Sequence, residues 1–166
     1  MSPRATAFGL AAIVLLLDRL TKLLVETYMT TADVYRVIPG FFDLIYTENR
    51  GMAFGVFSEG DHEWRSFFLS GVALLVMGFI IVVLWQRSPT GMAASRVSRL
   101  GLSLVLGGSA GNLYDRLVKG AVTDFLDFHA GSHHWPAFNI ADSAISIGVG
   151  LVLLDVWLSR GKARTT

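Results

Sequence analysis

The sequence predicts an all-α membrane protein with four transmembrane helices and a small β structure in the first outside loop. Three observations lead to this fold class. Hydrophobic residues make up 52% of the 166 residues and charged residues only 16%, against about 25% charged residues in soluble domains. Four long apolar runs follow one another along the chain. Basic and acidic residues fall in alternate segments between those runs.

The composition excludes several classes of protein. A chain this apolar does not remain disordered, because it has ample surface to bury. The formal net charge is only +1, so no nucleic-acid partner is expected. The chain has no cysteine, which excludes disulfides, thiolate zinc sites and cysteine nucleophiles.

The second apolar run has the length and composition of a membrane span. Phe67 to Trp85 contains no charged residue, and at ~1.5 Å per residue it is about long enough for a ~30 Å hydrocarbon core. Trp64 and Trp85 lie at its two ends, as aromatic residues do at membrane interfaces.

The other three runs are shorter or interrupted. They are uncharged over 5–17 and 100–114, and over 143–158 except for Asp155. By length alone each could be a buried helix of a soluble protein. The first ends in Asp-Arg-Leu-Thr-Lys at 18–22, without a small-x-small cleavage site, so we interpret it as a retained span. We place the spans at about 5–25, 66–85, 98–118 and 140–158 of one domain, 1–166, with outside loops at about 26–64 and 119–139.

The distribution of charge predicts how the four spans are oriented. The segments on one side contain bases and no acids, and those on the other side hold nearly all the acids. Because basic residues stay on the cytoplasmic side, both termini are predicted inside and both long loops outside. The inside bases are Arg4, Arg87, Arg96, Arg99, Arg160, Lys162 and Arg164. The outside acids are Asp33, Asp43, Glu48, Glu59, Asp61, Glu63, Asp124 and Asp127.

The first outside loop predicts β structure of its own. Val34 to Ile38 and Phe41 to Thr47 are rich in β-branched and aromatic residues, and Pro39 and Gly40 separate them. This pattern is typical of a hairpin, which would lie at the membrane surface.

Polar residues of the first and third spans fall at one depth. Asp18 lies ~20 Å along the first helix, and Lys22 follows one turn later on the same face. Gly108, Asn112 and Arg116 recur at steps of four and form one stripe at the outer end of the third span. Ionisable groups at membrane depth usually serve a function or pair with one another.

The fourth span begins at the same depth, with Asn139 and Asp142, and Asp124 precedes it in the outer connection. Two carboxylates a few ångströms apart share a proton, so that one acts as a general base on water while the other polarises a carbonyl. This chemistry needs no metal or cofactor, and none is expected. On depth alone, the pair could come from any of Asp18, Asp115, Asp124, Asp127 and Asp142.

Other functions fit the same pattern less well. A small transporter or channel could use buried acids to pass protons or cations, but it would carry polar groups near the bilayer midplane, where the second span is apolar. A non-catalytic assembly factor leaves the pattern of acids unexplained. A metal site built from Asp124, Asp127, His129, His133 and His134 lacks a recognised ligand spacing, so a solvated loop is preferred.

Five motifs in order resemble those of one bacterial family. They are Asp-Arg-Leu-Thr-Lys at 18–22, Thr-Glu-Asn-Arg-Gly-Met-Ala-Phe-Gly at 47–55, Gly-Gly-Ser-Ala-Gly-Asn-Leu-Tyr-Asp-Arg at 107–116, Val-Thr-Asp-Phe at 122–125 and Phe-Asn-Ile-Ala-Asp at 138–142. Together they cover nearly the whole chain and resemble the bacterial lipoprotein signal peptidases, also called signal peptidase II or prolipoprotein signal peptidase.

The resemblance implies an aspartic peptidase of the bacterial cytoplasmic (inner) membrane, with a small β cradle on the membrane surface. It would remove signal peptides from diacylglyceryl-modified prolipoproteins, cutting just before the lipidated cysteine. Prolipoprotein and membrane lipid are then the expected partners, and we expect a monomer. The catalytic pair maps onto Asp124 and Asp142. Positions expected to bind substrate or organise the site, with Gly108 of the helical stripe added, are Asp18, Lys22, Asn49, Gly51, Gly108, Asn112, Arg116 and Asn139.

Overall fold

The computed structural model describes residues 2–51, 62–86, 93 and 95–163. Over those residues the helices are α1 (Pro3–Tyr28), α2 (His62–Trp85), α3 (Arg96–Lys119) and α4 (Ile140–Ala163). The strands are β1 (Val34–Ile38), β2 (Phe42–Asn49), β3 (Val122–Ala130) and β4 (His133–His134). Glu59, Asp61, Arg87, Arg164 and residues 52–55 of the second motif lie outside the described residues, as do the side chains of Glu63, Arg160 and Lys162.

Each of the four apolar runs is helical, as predicted. Within the described residues, α2 and α4 are the helices long and apolar enough to cross a membrane, over Ser66–Trp85 and Ile140–Ser159. Helices α1 and α3 carry the charged and small residues of the expected site, which makes them less apolar. Many large apolar side chains of α2 and α4 remain exposed, among them Leu75 and Trp157, and such a surface suits contact with lipid.

Helix α3 is central and packs against α1, α2 and α4. Glycines permit this close approach. A Cβ on Gly101 would lie 2.6 Å from the carbonyl oxygen of Gly148 in α4, and one on Gly107 would lie 2.5 Å from the carbonyl oxygen of Ala11 in α1. Helices of membrane proteins associate through such small residues, because apolar side chains gain little by leaving lipid.

The predicted hairpin is confirmed and belongs to a larger antiparallel sheet with the strand order β1-β2-β3-β4. Gly40, with φ at +79°, turns the chain between β1 and β2. Strand β3 comes from the second outside loop, where the sequence analysis did not predict a strand. It pairs with β2 so that Thr47 faces Asp124 and Asn49 faces Val122. The sheet therefore joins the two outside loops.

Gly120 carries the chain from α3 into β3. Its φ of +74° ends the helix in the left-handed conformation, and its amide donates to the carbonyl oxygen of Arg116 at 3.1 Å. Glycine adopts this conformation without steric cost. Because β3 begins two residues later, the first residues of the strand lie against the C-terminal end of α3.

Candidate active site

Asn139 joins the two acids that the motifs single out. It precedes α4, and its Oδ1 accepts from the amide of Asp142 at 3.0 Å, which is an N-cap of the helix. Its Nδ2 donates to Oδ1 of Asp124 on β3 at 2.7 Å. One fully buried side chain thus holds together the start of α4 and strand β3, which carries Asp124.

Asn112 of α3 holds the second acid. Its Nδ2 donates to Oδ1 of Asp142 at 2.7 Å. Its Oδ1 accepts from Nζ of Lys22 at 3.0 Å and from Nδ2 of Asn139 at 3.3 Å. Asp142 lies in the first turn of α4, where the helix dipole favours a negative charge.

Asn49 approaches Asp124 from the opposite side, at the end of β2. Its Nδ2 donates to Oδ2 of Asp124 at 3.1 Å. The amide of Gly51 donates to Oδ1 of Asn49 at 2.9 Å, and Gly51 has a φ of +97°, which a residue with a side chain rarely adopts. Gly51 therefore fixes the orientation of the Asn49 amide.

Of the other three acids left open by the sequence, Asp18 and Asp115 form ion pairs and Asp127 contacts a histidine. Lys22 lies 2.8 Å from Oδ2 of Asp18 and 2.8 Å from Oδ2 of Asp115. Nδ1 of His134 lies 2.8 Å from Oδ2 of Asp127. In the described part of the chain, Asp124 and Asp142 have no such ion-pair partner and are held by amide groups.

Burial raises the pKa of Asp124 to about 6, and the negative charge of Asp142 adds to this rise. Hydrogen bonds from Asn49 and Asn139 act in the opposite direction, because they stabilise the charged carboxylate. The pKa of Asp124 rises because desolvation and the neighbouring acid together outweigh these hydrogen bonds. A carboxyl group with this pKa can hold a proton or release it near neutral pH, as a dyad requires.

The remaining predicted site residues surround this pair. Arg116 in α3 is partly buried, and its charge acts on both Asp124 and Asp142. Its Nη1 is 3.5 Å from the carbonyl oxygen of Asn112. Gly108 lies against the first turn of α4, since a Cβ there would collide with the carbonyl oxygen of Ala141. All ten predicted positions are thus placed at one site by the fold.

An open cleft of about 590 Å³ leads to Asp124. The ends of β2 and β3 form one wall, and the segment after β4 forms the other. Its lining includes Ile45, Thr47, Asn49, Asp124, Trp135 and Pro136. The cleft therefore runs next to Asp124 on the sheet side of the molecule, although Asp124 itself is buried.

His129 and His134 contact each other and two aspartates of the sheet, Asp43 and Asp127. The rings of His129 and His134 stack with their centroids 4.7 Å apart, and Nε2 of His129 lies 3.3 Å from Oδ2 of Asp43. Among the residues that the structure describes, no group of three or more acids and histidines is placed to hold a metal ion.

Comparison with known proteins connects this geometry to a family. A family model described as signal peptidase (SPase) II matches residues 10–158. The chain belongs to the signal peptidase II family. The resemblance seen in the motifs is thereby confirmed, and the protein is a peptidase of that family. The transporter and assembly-factor interpretations are set aside.

Curated relatives carry the name lipoprotein signal peptidase. The relative from Solibacter usitatus is 48% identical over 153 residues, which are 92% of this chain and 91% of that protein. The relative from Azoarcus sp. is 44% identical over 144 residues, 87% of this chain and 78% of that protein.

Two solved structures described as bacterial membrane enzymes share the fold. One is 27% identical with a TM-score of 0.81 and covers 95% of this chain and 91% of its own. The other is 28% identical with a TM-score of 0.77 and covers 92% of both chains. This signal peptidase II chain is accordingly a membrane protein with a small antiparallel sheet.

Asp115 was missed as a site-organising residue by the sequence analysis. It was considered as one of the catalytic acids, whereas the structure pairs it with Lys22 and with Arg19. The signal was present in the sequence, because Asp115 follows Asn112 by three positions and lies at the depth of Lys22. The sequence did not reveal that the side of α3 that carries Asp115 faces α1, where Arg19 and Lys22 lie.

Proposed function

We propose that this signal peptidase II chain is an aspartic endopeptidase whose catalytic dyad is Asp124 and Asp142. It removes the signal peptide from diacylglyceryl-modified prolipoproteins and cuts just before the lipidated cysteine. The observation that carries the proposal is the pair of buried amides, Asn112 and Asn139, which hold these two acids, while no cation among the described residues forms an ion pair with either acid. The names of the curated relatives support the substrate class.

The dyad would act by sharing one proton. The ionised carboxylate takes a proton from a water molecule as its oxygen attacks the scissile carbonyl carbon. The protonated carboxyl donates its proton to the carbonyl oxygen, which gives a neutral tetrahedral diol. Collapse of the diol breaks the C–N bond: the protonated carboxyl passes its proton to the leaving amine of the cysteine, and the ionised carboxylate takes the proton of a diol hydroxyl, which leaves a carboxylic acid product and one shared proton on the dyad. The site residues of this chain supply every proton transfer.

We also propose that all four helices span the bacterial inner membrane, with both termini in the cytoplasm. Each helix has 24 to 26 residues, which is about 36 Å or more at ~1.5 Å per residue and suffices for a ~30 Å core. Three of the charged residues that interrupt the apolar runs of α1 and α3 are fully buried and so do not face lipid: Asp18, Lys22 and Asp115.

The proposed function is tested with purified protein and a synthetic prolipoprotein whose cysteine carries diacylglycerol. Mass spectrometry of the products should show one new amino terminus, at the lipidated cysteine. No cleavage by well-folded protein, or cleavage elsewhere in the precursor, would contradict the proposal.

A further inference from the structure

Lys22 is a buried cation held by two carboxylates and one amide oxygen. Its side chain is fully buried, and its Nζ lies 2.8 Å from Asp18, 2.8 Å from Asp115 and 3.0 Å from Oδ1 of Asn112. An ammonium group has three N–H donors and no acceptor. Two ion pairs and one hydrogen bond therefore hold the ammonium in place.

The two carboxylates that hold Lys22 are themselves fixed by other elements. The second oxygen of Asp115 binds Arg19. The second oxygen of Asp18 accepts from the amide of Ala141 in the first turn of α4 at 3.0 Å. Movement of Lys22 would leave the buried Asp18 without its cation and would remove one of the cations that hold Asp115, which is unfavourable. These contacts hold the ammonium group of Lys22 in one position between α1, α3 and α4.

The position of the Lys22 ammonium determines which way the Asn112 amide faces. The two ends of an amide differ, one accepting and the other donating. Because Lys22 offers only N–H groups, the oxygen of Asn112 must face it, and the nitrogen then faces Asp142. A reversed amide would place N–H against N–H at Lys22 and oxygen against oxygen at Asp142.

The orientation of the Asn112 amide in turn favours one orientation of the Asn139 amide. Oδ1 of Asn112 accepts from Nδ2 of Asn139 at 3.3 Å, and that nitrogen also donates to Asp124 at 2.7 Å. The N-cap bond from the amide of Asp142 to Oδ1 of Asn139 requires the same orientation. Both aspartates therefore receive N–H donors through one continuous hydrogen-bond network.

We propose that Lys22 and Asp115 are positioning residues of the peptidase reaction: Asp115 holds Lys22, and Lys22 sets the direction of the amides that hold Asp142 and Asp124. Neither residue touches the reacting atoms. The inference rests on the proposed dyad, and it adds Asp115 to the residues on which the rate depends.

The test is the Lys22→Met variant of the full chain, assayed on lipidated prolipoprotein. We expect kcat to fall at least about tenfold, since loss of amide direction misplaces the dyad, with KM little changed. The charged groups that face Asp124 are Asp142 on α4, Arg116 on α3 and Lys22 on α1. Because the charge of Lys22 lowers the pKa of Asp124, its loss should move the alkaline limb of the pH profile to higher pH.

Lys119→Met is the matched control. Lys119 also lies near Asp115, at 3.6 Å, but its ammonium group donates to Glu26, whereas that of Lys22 donates to Asn112. It should keep kcat and the alkaline limb of the wild type. Equal effects of the two variants, or a Lys22→Met enzyme with the wild-type kcat and pH profile, would overturn the proposal.

Asn112→Leu keeps the test decisive if Lys22→Met does not fold in detergent. Leucine has a similar volume, and the substitution leaves intact the side chains that form the ion pairs of Lys22 and Arg19. We expect the same loss of kcat at unchanged KM. A folded Asn112→Leu enzyme with wild-type kcat would contradict the network, whereas failure of the wild type to cleave would contradict the proposed function instead.

Discussion

Amide groups and cations hold the buried acids of this protein in different ways. Asp115 is held by Lys22 and Arg19, whereas Asp124 accepts from the amides of Asn49 and Asn139. An ion pair is lost when its carboxylate takes up a proton. A carboxyl group keeps an acceptor oxygen in both protonation states, so an amide can hold it throughout a proton transfer. The choice of partner therefore separates the proposed catalytic acids from the structural ones.

Asp124→Asn and Asp142→Asn should each lower kcat at least about a hundredfold, because a general acid–base pair needs both carboxyl groups. The variants should still fold, since the amide has nearly the same volume. Asp127→Asn on the same strand is the control and should remain active. Cleavage kinetics on lipidated prolipoprotein check this, and near-normal turnover by either dyad variant would remove the assignment.

Asn49→Ala should shift the pH dependence in a defined direction. The hydrogen bond from Asn49 lowers the pKa of Asp124, so its removal raises that pKa above the present value of about 6. Activity that requires a protonated Asp124 is lost as pH rises through its pKa, and the alkaline limb of kcat/KM should move to higher pH. Tyr46→Phe, also on β2, should leave the limb in place; a shift to lower pH in Asn49→Ala would contradict the argument.

At the scale of elements, the sequence predicted those features that depend on nearby residues. The four helices follow from apolar run length, and the β1–β2 hairpin follows from two β-branched segments around Gly40. Strand β3 was not predicted because its partner is remote: the bond between Asn49 and Asp124 joins residues 75 positions apart. The common depth of the polar residues could be predicted from the rise per residue of each helix. The orientation of the Asn112 and Asn139 amides could not, because it depends on contacts among α1, α3 and α4.

Gly108→Ala tests whether the contact between α3 and α4 positions the dyad. A Cβ there would meet the backbone carbonyl of Ala141, which has no side-chain freedom to move away, and Cγ1 of Ile145 at 2.9 Å. We expect a loss of stability of about 1–3 kcal/mol and a marked fall in kcat, because α4 carries Asp142.

Gly9→Ala in α1 is the matched control for that substitution. Nothing lies within 4 Å of its Cβ position, so the change should be neutral or stabilising by up to about 1 kcal/mol. Thermal unfolding in detergent and cleavage assays measure both variants. Equal behaviour of the two alanines would show that the helix contact does not govern the site.

For the whole molecule, the functional groups gather at the end of the bundle that carries the sheet. Because the chain has no cysteine, single cysteines report its orientation directly. Ser132→Cys, in the exposed turn between β3 and β4, should react with a membrane-impermeant maleimide in sphaeroplasts. Ser2→Cys, at the start of α1, should react only after lysis. The reverse pattern would invert the proposed topology and move the site to the cytoplasmic side.

The position of the dyad at that end of the bundle also predicts that the lipid of the substrate matters. Asp142 opens α4 and Asp124 lies on the adjoining sheet, so the scissile bond must be presented at the level of the membrane surface. A diacylglyceryl cysteine is held at this level, because two acyl chains give stable anchoring where one gives only marginal binding. The anchor contributes orientation and not chemistry, and orientation alone can contribute a large part of a rate enhancement.

We therefore expect a precursor without the lipid to be cleaved far more slowly than the same precursor with it. A precursor with serine in place of the cysteine should behave like the unlipidated form, since serine cannot carry the thioether. The comparison uses one precursor sequence, the same detergent micelles and the same enzyme, with kcat/KM as the readout. Because an intact dyad acts on both substrates, any difference reports docking. Equal kcat/KM values would mean that the enzyme recognises only the peptide, and the anchoring argument would fail while the dyad assignment remained.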